Sequence, residues 1–311
     1  MPLQVGLALG GPGDPPAWAE ALALATWADS AGFDSLWLPE GHLRSGAPSS
    51  PLLGLAAFAA RTARIRLGTT SLLISLLDPL RVAVEVAALD QLCGGRLVLG
   101  LGRGFEPAVL RAFGVEARAK RDRFDAALDA MLAVWRGDAQ PHRPLQHPHP
   151  PLFVAAFGPK GLAQAARRGL PYLASPLESL DRLAHNFARH AELRAADAAG
   201  AGAEPAPLPV AVMRTVHVTA NAAETRAVRE AAEAEFRALA TRARGAIATV
   251  AAGRASERVL IGEAGEVAEL LTDYRERLGL DLLVLRPAAR TDDAARRASL
   301  ERLASRVLPG L

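Results

Sequence analysis

The chain contains a single cysteine, Cys93, so it can form no intrachain disulfide, and a structural zinc site would need other ligands. A reducing compartment follows naturally, and a cytoplasmic protein is expected. Only two lysines are present, Lys120 and Lys160, so the basic charge is almost all arginine. This explains an isoelectric point of about 9.6 beside a net charge of only +3. Basic residues alternate with acidic ones, as from Arg226 to Arg237, and no basic run has the length of a nucleic-acid tail. No apolar run approaches the ~18 residues of a membrane helix. The first basic residue is Arg44, so the charged start of a signal peptide is missing as well. A Walker loop, a G-x-S-x-G elbow and an H-E-x-x-H helix are all absent.

What remains is 311 residues, half of them hydrophobic and 22% charged, with 27 glycines and 22 prolines. That is the composition of an ordered globular chain long enough for one large barrel or two domains. Short apolar runs alternate with helical segments along its length. Strands are expected at Leu3 to Leu9, Asp34 to Leu38, Ile65 to Thr70, Arg96 to Leu101, Phe153 to Ala156, Tyr172 to Ala174, Val210 to Val218 and Leu282 to Leu285. Helices are expected between them, the first capped by Asp14 with Pro15 in its first turn, the last from Asp292 to Val307. Continuously apolar strands separated by helices imply a parallel sheet covered on both faces. Eight such units predict a single-domain α/β fold over residues 1–311, a (β/α)8 TIM barrel with loop insertions, and leave an open doubly wound sheet as the alternative. The insertions are a Pro/His-rich surface excursion at 140–151 and an Ala/Gly/Pro loop at 198–209. Trp18, Trp27, Trp37 and Trp135 have apolar neighbours and read as core.

In a barrel the reactive groups gather where strands end. The second strand ends in Glu40-Gly41-His42, a carboxylate and an imidazole able to exchange protons near neutral pH, or else a loop anchor and a solvated histidine. The fourth ends in Gly100-Leu101-Gly102-Arg103-Gly104, where glycines permit close backbone approach and Arg103 could fork onto a phosphate. A tight turn carrying a surface arginine fits equally, and the spacing is not that of a dinucleotide fingerprint. The fifth leads through Phe157 and Gly158-Pro159-Lys160-Gly161 into a helix, which is an anion site or an ordinary turn. His142, His147 and His149 are broken up by three prolines with no carboxylate nearby, so no metal is expected.

Several segments together resemble the bacterial luciferase-like family of flavin-dependent monooxygenases. They are Ser50-Pro51, Ala60-Arg61-Thr62, Arg66-Leu67-Gly68-Thr69, Asp78-Pro79-Leu80-Arg81, Leu89-Asp90-Gln91-Leu92-Cys93-Gly94-Gly95-Arg96 and Gly100-Leu101-Gly102-Arg103-Gly104. The likeness continues through Gly158-Pro159-Lys160, Ile261-Gly262, Gly279-Leu280-Asp281 and the ending Ser299-Leu300-Glu301 to Val307-Leu308-Pro309. The resemblance implies a TIM-barrel flavoprotein, a homodimer, in which reduced FMN and oxygen oxidise a small organic or natural-product substrate. The reduced FMN would come from a separate reductase. A sister branch uses a deazaflavin for hydride transfer, and a flavin-binding relative without activity is a third reading. Arg103 would contact the flavin phosphate, the loop of Gly158, Pro159, Lys160 and Gly161 would close over it, and Ser71 would lie beside the ring. The family commonly carries histidine where this chain has Gly41, so His42 is expected to take over as catalytic acid or base, oriented by Glu40. Cys93 replaces a common serine.

Overall fold

The computed structural model describes residues 3–9, 18–43, 48–137, 143–200, 202, 204–242, 246–251, 253–288 and 291–311. The expected cap at Asp14, the glycines before it, His142 and parts of the 140–151 and 198–209 segments lie outside them. In chain order the elements are β1 (Gln4–Ala8), α1 (Trp18–Ser30), β2 (Ser35–Leu38), α2 (Pro51–Ala59), β3 (Arg66–Leu72), α3 (Pro79–Leu92), β4 (Leu97–Leu101), α4 (Pro107–Ala112), α5 (Lys120–Arg136), β5 (Leu152–Ala156) and α6 (Pro159–Arg167). They continue with β6 (Tyr172–Ala174), α7 (Leu180–Gly200), β7 (Ala211–Val218), α8 (Ala222–Arg242), α9 (Ala246–Ala251), β8 (Val259–Gly262), α10 (Ala264–Leu278), β9 (Leu282–Pro287) and α11 (Asp293–Arg302). The fold class is the (β/α)8 barrel that the alternation predicts.

The chain divides into two compact units, residues 1–8, 31–33 and 154–311 in one and 9–30 and 34–153 in the other. In the second unit β2, β3 and β4 run side by side in parallel, with Ser35 to Leu38 matched to Arg66 to Thr69, and Leu67 to Thr70 matched to Leu97 to Gly100. Every residue of β2 and β4 is buried, which is why both read as unbroken apolar runs. Four helices, α2, α3, α4 and α6, have proline in the first turn, where its missing N–H costs no hydrogen bond. Asp78 also caps α3 by accepting from Arg81 N at 2.8 Å.

Much of the sequence signature in this unit is structural. Arg96 Nε donates to Cys93 O at 2.8 Å, and its Nη atoms reach Thr62 Oγ1, Ile65 O, Ala59 O and Thr62 O. One guanidinium thus staples the ends of α2 and α3 to the entry of β3. Fully buried Asp90 accepts from Gln146 N and Nε2 at 2.8 and 2.7 Å, while Gln91 Nε2 donates to Arg143 O. The Pro/His-rich segment is therefore tied down over its described residues, 143–151. The Asp29 carboxylate accepts from three consecutive backbone amides, Ala63, Arg64 and Ile65, at 2.7 to 3.0 Å.

In the first unit β5 pairs with β6, β6 with the start of β7, and β9 with both β1 and β7. The outer half of β7 pairs further with β8, Thr215 to Val218 against Val259 to Gly262. This ninth strand, and the six-residue helices α4 and α9, add to the expected elements. Within this unit a buried polar network joins β6 to α7: Glu178 accepts from Tyr172 Oη at 2.5 Å, Ser175 N at 2.9 Å and Asn186 Nδ2 at 2.6 Å. Trp37 and Trp135 are core as expected, but Trp18 is not. It is 51% exposed at the start of α1, with only one ring edge packed over Gly54 of α2.

Candidate functional site

Glu40 and His42 come together just beyond β2. The Glu40 side chain is 1% exposed and divides its two oxygens: Oε1 meets His42 Nε2 at 2.7 Å, and Oε2 accepts from Leu73 N, just past β3, at 2.6 Å. It is thus a loop anchor and an orienting group at once. His42 is not solvated, since its side chain is 11% exposed and its ring lies 4.6 Å from that of Phe113. Burial raises the Glu40 pKa above the ordinary carboxylate value, against the opposing pull of the Leu73 amide and His42. With Glu40 ionised and His42 neutral, the shared bond places the ring proton on Nε2 and leaves Nδ1 with a lone pair.

Ser71 stands in β3 after a cis Thr70–Ser71 peptide, where the register against β4 shifts. Its Oγ occupies the space above Gly102, where a Cβ would lie 2.0 Å from it, so the glycine lets the Ser71 hydroxyl sit directly over the β4 backbone. The next residue, Arg103, has its backbone oxygen bonded by Ser75 Oγ at 2.7 Å and its guanidinium 5.9 Å from the Phe124 ring centre. Its pKa is lowered to about 10, first by burial and then by repulsion from Arg121, with Asp125 pulling the other way. Lys120, at the start of α5, donates to Gly104 O at 3.3 Å, and burial and the charges of Arg103 and Arg121 lower its pKa too. Arg103, Lys120 and Arg121 thus lie close enough to repel one another, with Asp125 offsetting part of their charge.

Lys120 and Arg121 escaped the sequence reading because Lys120-Arg121-Asp122-Arg123 reads as an ordinary solvated helix start. The Gly158 to Gly161 loop belongs to the other unit. Gly158 caps α6 with φ of +83°, and its oxygen accepts from Gly161 N and Leu162 N at 3.1 and 3.2 Å. Pro159 has no N–H to offer, so the donors left for an anion are the Lys160 amide and the exposed Lys160 side chain. Among the described residues no cluster of His, Cys, Asp and Glu could hold a metal, and no helix is long and apolar enough to cross a membrane.

The family model described as luciferase-like monooxygenase matches residues 3–281. The chain belongs to the luciferase-like monooxygenase family. A relative from Acinetobacter baylyi, the oxygenase component of a flavin-dependent trigonelline monooxygenase, is 29% identical over 189 residues, 54% of this chain and 52% of its own. An F420-dependent glucose-6-phosphate dehydrogenase from Kineococcus radiotolerans is 30% identical over 183 residues, 50% of this chain and 52% of its own. The matches to these curated relatives thus span about half of their length. The crystal structure of the monooxygenase RslO1 from Streptomyces bottropensis superposes with a TM-score of 0.76, at 25% identity over 99% of both chains. Two branches of the family, flavin-dependent and F420-dependent, are therefore both represented among the relatives.

Proposed function

We propose that the chain is a flavin-dependent oxidoreductase, acting as the oxygenase component of a two-component monooxygenase on a small organic or natural-product substrate. The observation that carries this reading is the buried Glu40–His42 pair. A histidine oriented by a carboxylate is the equipment of proton transfer, and it favours catalysis over a flavin-binding relative without activity. The donor set fits FMN: Arg103, Lys120 and Arg121 match a phosphate dianion, and Ser71 over Gly102 offers a hydroxyl beside them. When bound, reduced FMN supplies two electrons, with which one oxygen atom of O2 enters the substrate and the other leaves as water.

The chain's own residues divide the remaining work. His42 Nδ1 takes or returns the proton as the substrate is attacked and collapses, while Glu40 fixes the ring and stabilises its protonated form. The buried surroundings of the pair limit water around that transfer. The relative named as the oxygenase component of a monooxygenase supports a separate reductase as partner. Exposed Leu53 and Leu80, on α2 and α3, support a homodimer, as such apolar surface commonly does. The F420-dependent relative favours a second reading, in which a deazaflavin takes the same place and exchanges hydride without oxygen.

Titration of the protein with oxidised FMN, reduced FMN and reduced F420 in low-phosphate buffer tests the assignment. Preference for reduced FMN, with oxygen uptake stimulated by substrate, is the expected result. Preference for F420 moves the enzyme to hydride transfer, and binding of none of them overturns the flavoprotein reading.

A further inference from the structure

Arg286, the next-to-last residue of β9, differs from Arg214, the fully buried arginine of the neighbouring strand. Arg214, on β7, is satisfied all round: Nε donates to Tyr274 Oη, Nη1 to the carbonyls of Ser175 and Met213, and Nη2 to the Glu178 carbonyl. Tyr274 belongs to α10, and Ser175 and Glu178 to the turn into α7, so Arg214 marks the face that α7 and α10 cover. Thr215 and Arg286 are matched in register and stand on the opposite face, away from α7 and α10, where Val259, Ile261 and Ala288 pack against Val228, Ala232 and Phe236 of α8. Arg286 is 8% exposed, and its Nη2 donates to Thr215 Oγ1 at 2.8 Å. Its Nε is buried with no partner among the described residues. Burial holds its pKa below the ordinary arginine value, and Glu235 pulls in the other direction.

A guanidinium stays charged even when buried, and a buried cation with an unmet N–H is expensive unless something else uses it. Its place, near the C-terminal end of a barrel strand, is where barrels bind their ligands. Nε–H and the second N–H of Nη2 form one edge of the guanidinium, two parallel donors spaced for a carboxylate. Thr215 Oγ1 accepts from Nη2 and so keeps its own proton to donate.

We propose that Arg286 and Thr215 form a subsite for the oxyanion of an organic acid, held by its carboxylate. This rests on the flavoenzyme reading above for its meaning, though not for its test. The coenzyme phosphate is the other source of such an oxyanion, and comparison of FMN with riboflavin separates the two.

Benzoate and benzamide are the probes, alike in shape and different in charge, followed by calorimetry on the full chain with and without FMN. Benzoate is expected to bind and benzamide not. Arg286→Gln should weaken benzoate at least tenfold and Arg286→Lys less, while Arg103→Gln should weaken FMN and leave benzoate unchanged. Benzoate binding that survives Arg286→Gln, or is absent from the wild type, overturns the proposal. So does an Arg286→Gln protein that loses FMN affinity while keeping riboflavin affinity, because the anion is then the coenzyme's own. Should the variants fail to fold, wild-type crystals soaked in 4-iodobenzoate decide: a carboxylate on Arg286 supports the subsite, and one bound elsewhere overturns it. A wild type that binds benzoate but no flavin leaves the subsite standing and removes the coenzyme assignment alone.

Discussion

A one-residue offset from the family's usual histidine position still brings the imidazole of His42 onto Glu40, as the sequence led one to expect. The Glu40-Gly41-His42 order was legible, but the second bond of Glu40, to Leu73 N, depends on where β3 ends relative to β2. His42→Ala should lower turnover by about 10² to 10⁴ while flavin affinity stays within a few-fold, as stopped-flow turnover and equilibrium titration would show. Loss of flavin binding instead would reassign His42 to the coenzyme. At the cation cluster, Arg103→Gln should weaken FMN by about tenfold or more and riboflavin hardly at all, because a single charge-assisted contact to phosphate is worth about 1.5 to 3 kcal/mol. Equal loss for both ligands would count against a phosphate contact. Lys120 and Arg121 were invisible beforehand because they stand about one and a half dozen residues along the chain from Arg103, on a helix whose charges look solvated.

Elements that bury both faces announced themselves, whereas short or one-sided ones did not. β4 is apolar throughout and β2 after Ser35, and both are legible within a residue or two, while α4, α9 and β8 are four to six residues long and too brief to show a period. Trp18 was misread because it opens α1, where one flank faces solvent. The Arg96 staple gives the run through Gly95-Arg96 a mechanical role, joining α2, α3 and β3 with every donor engaged. Arg96→Lys, which keeps the charge and discards the planar fork, should destabilise the fold by about 2 kcal/mol in urea melts. A change within 0.5 kcal/mol, as is usual at surface sites, would show the staple to be idle. Asp29 gives a pH signature. Burial raises its pKa, but the three amides of Ala63, Ile65 and Arg64 outweigh that and hold it below the ordinary value. Its stabilisation is therefore full above the unfolded-state pKa and fades as pH falls through the folded one. Melts of wild type and Asp29→Asn should differ at neutral pH and converge under acid; a gap that persists at pH 2 would contradict the amide nest.

At the scale of the molecule, the eight-fold alternation was readable because each strand and helix pair repeats the same burial logic, and the extra strand β8 does not disturb it. Association is the property most exposed to test. Leu53 is 74% and Leu80 59% exposed, on α2 and α3 of the same unit. Sedimentation should find a dimer for the wild type and a monomer for Leu53→Asp with Leu80→Asp, and a dimer that persists in the variant would place the interface elsewhere. The pairing of Gln4 with Leu282 and of Leu7 with Leu285 has a temporal meaning as well. On the ribosome β1 emerges before the elements that follow it, and its β9-facing edge must wait until residues 282–285 have been made, while residues 9–30 and 34–153 already have most of their own contacts. At 5 to 20 residues per second that wait is roughly 15 to 60 seconds. A nascent-chain protease pulse should therefore cut at β1 long after the segment around Arg96 has become resistant.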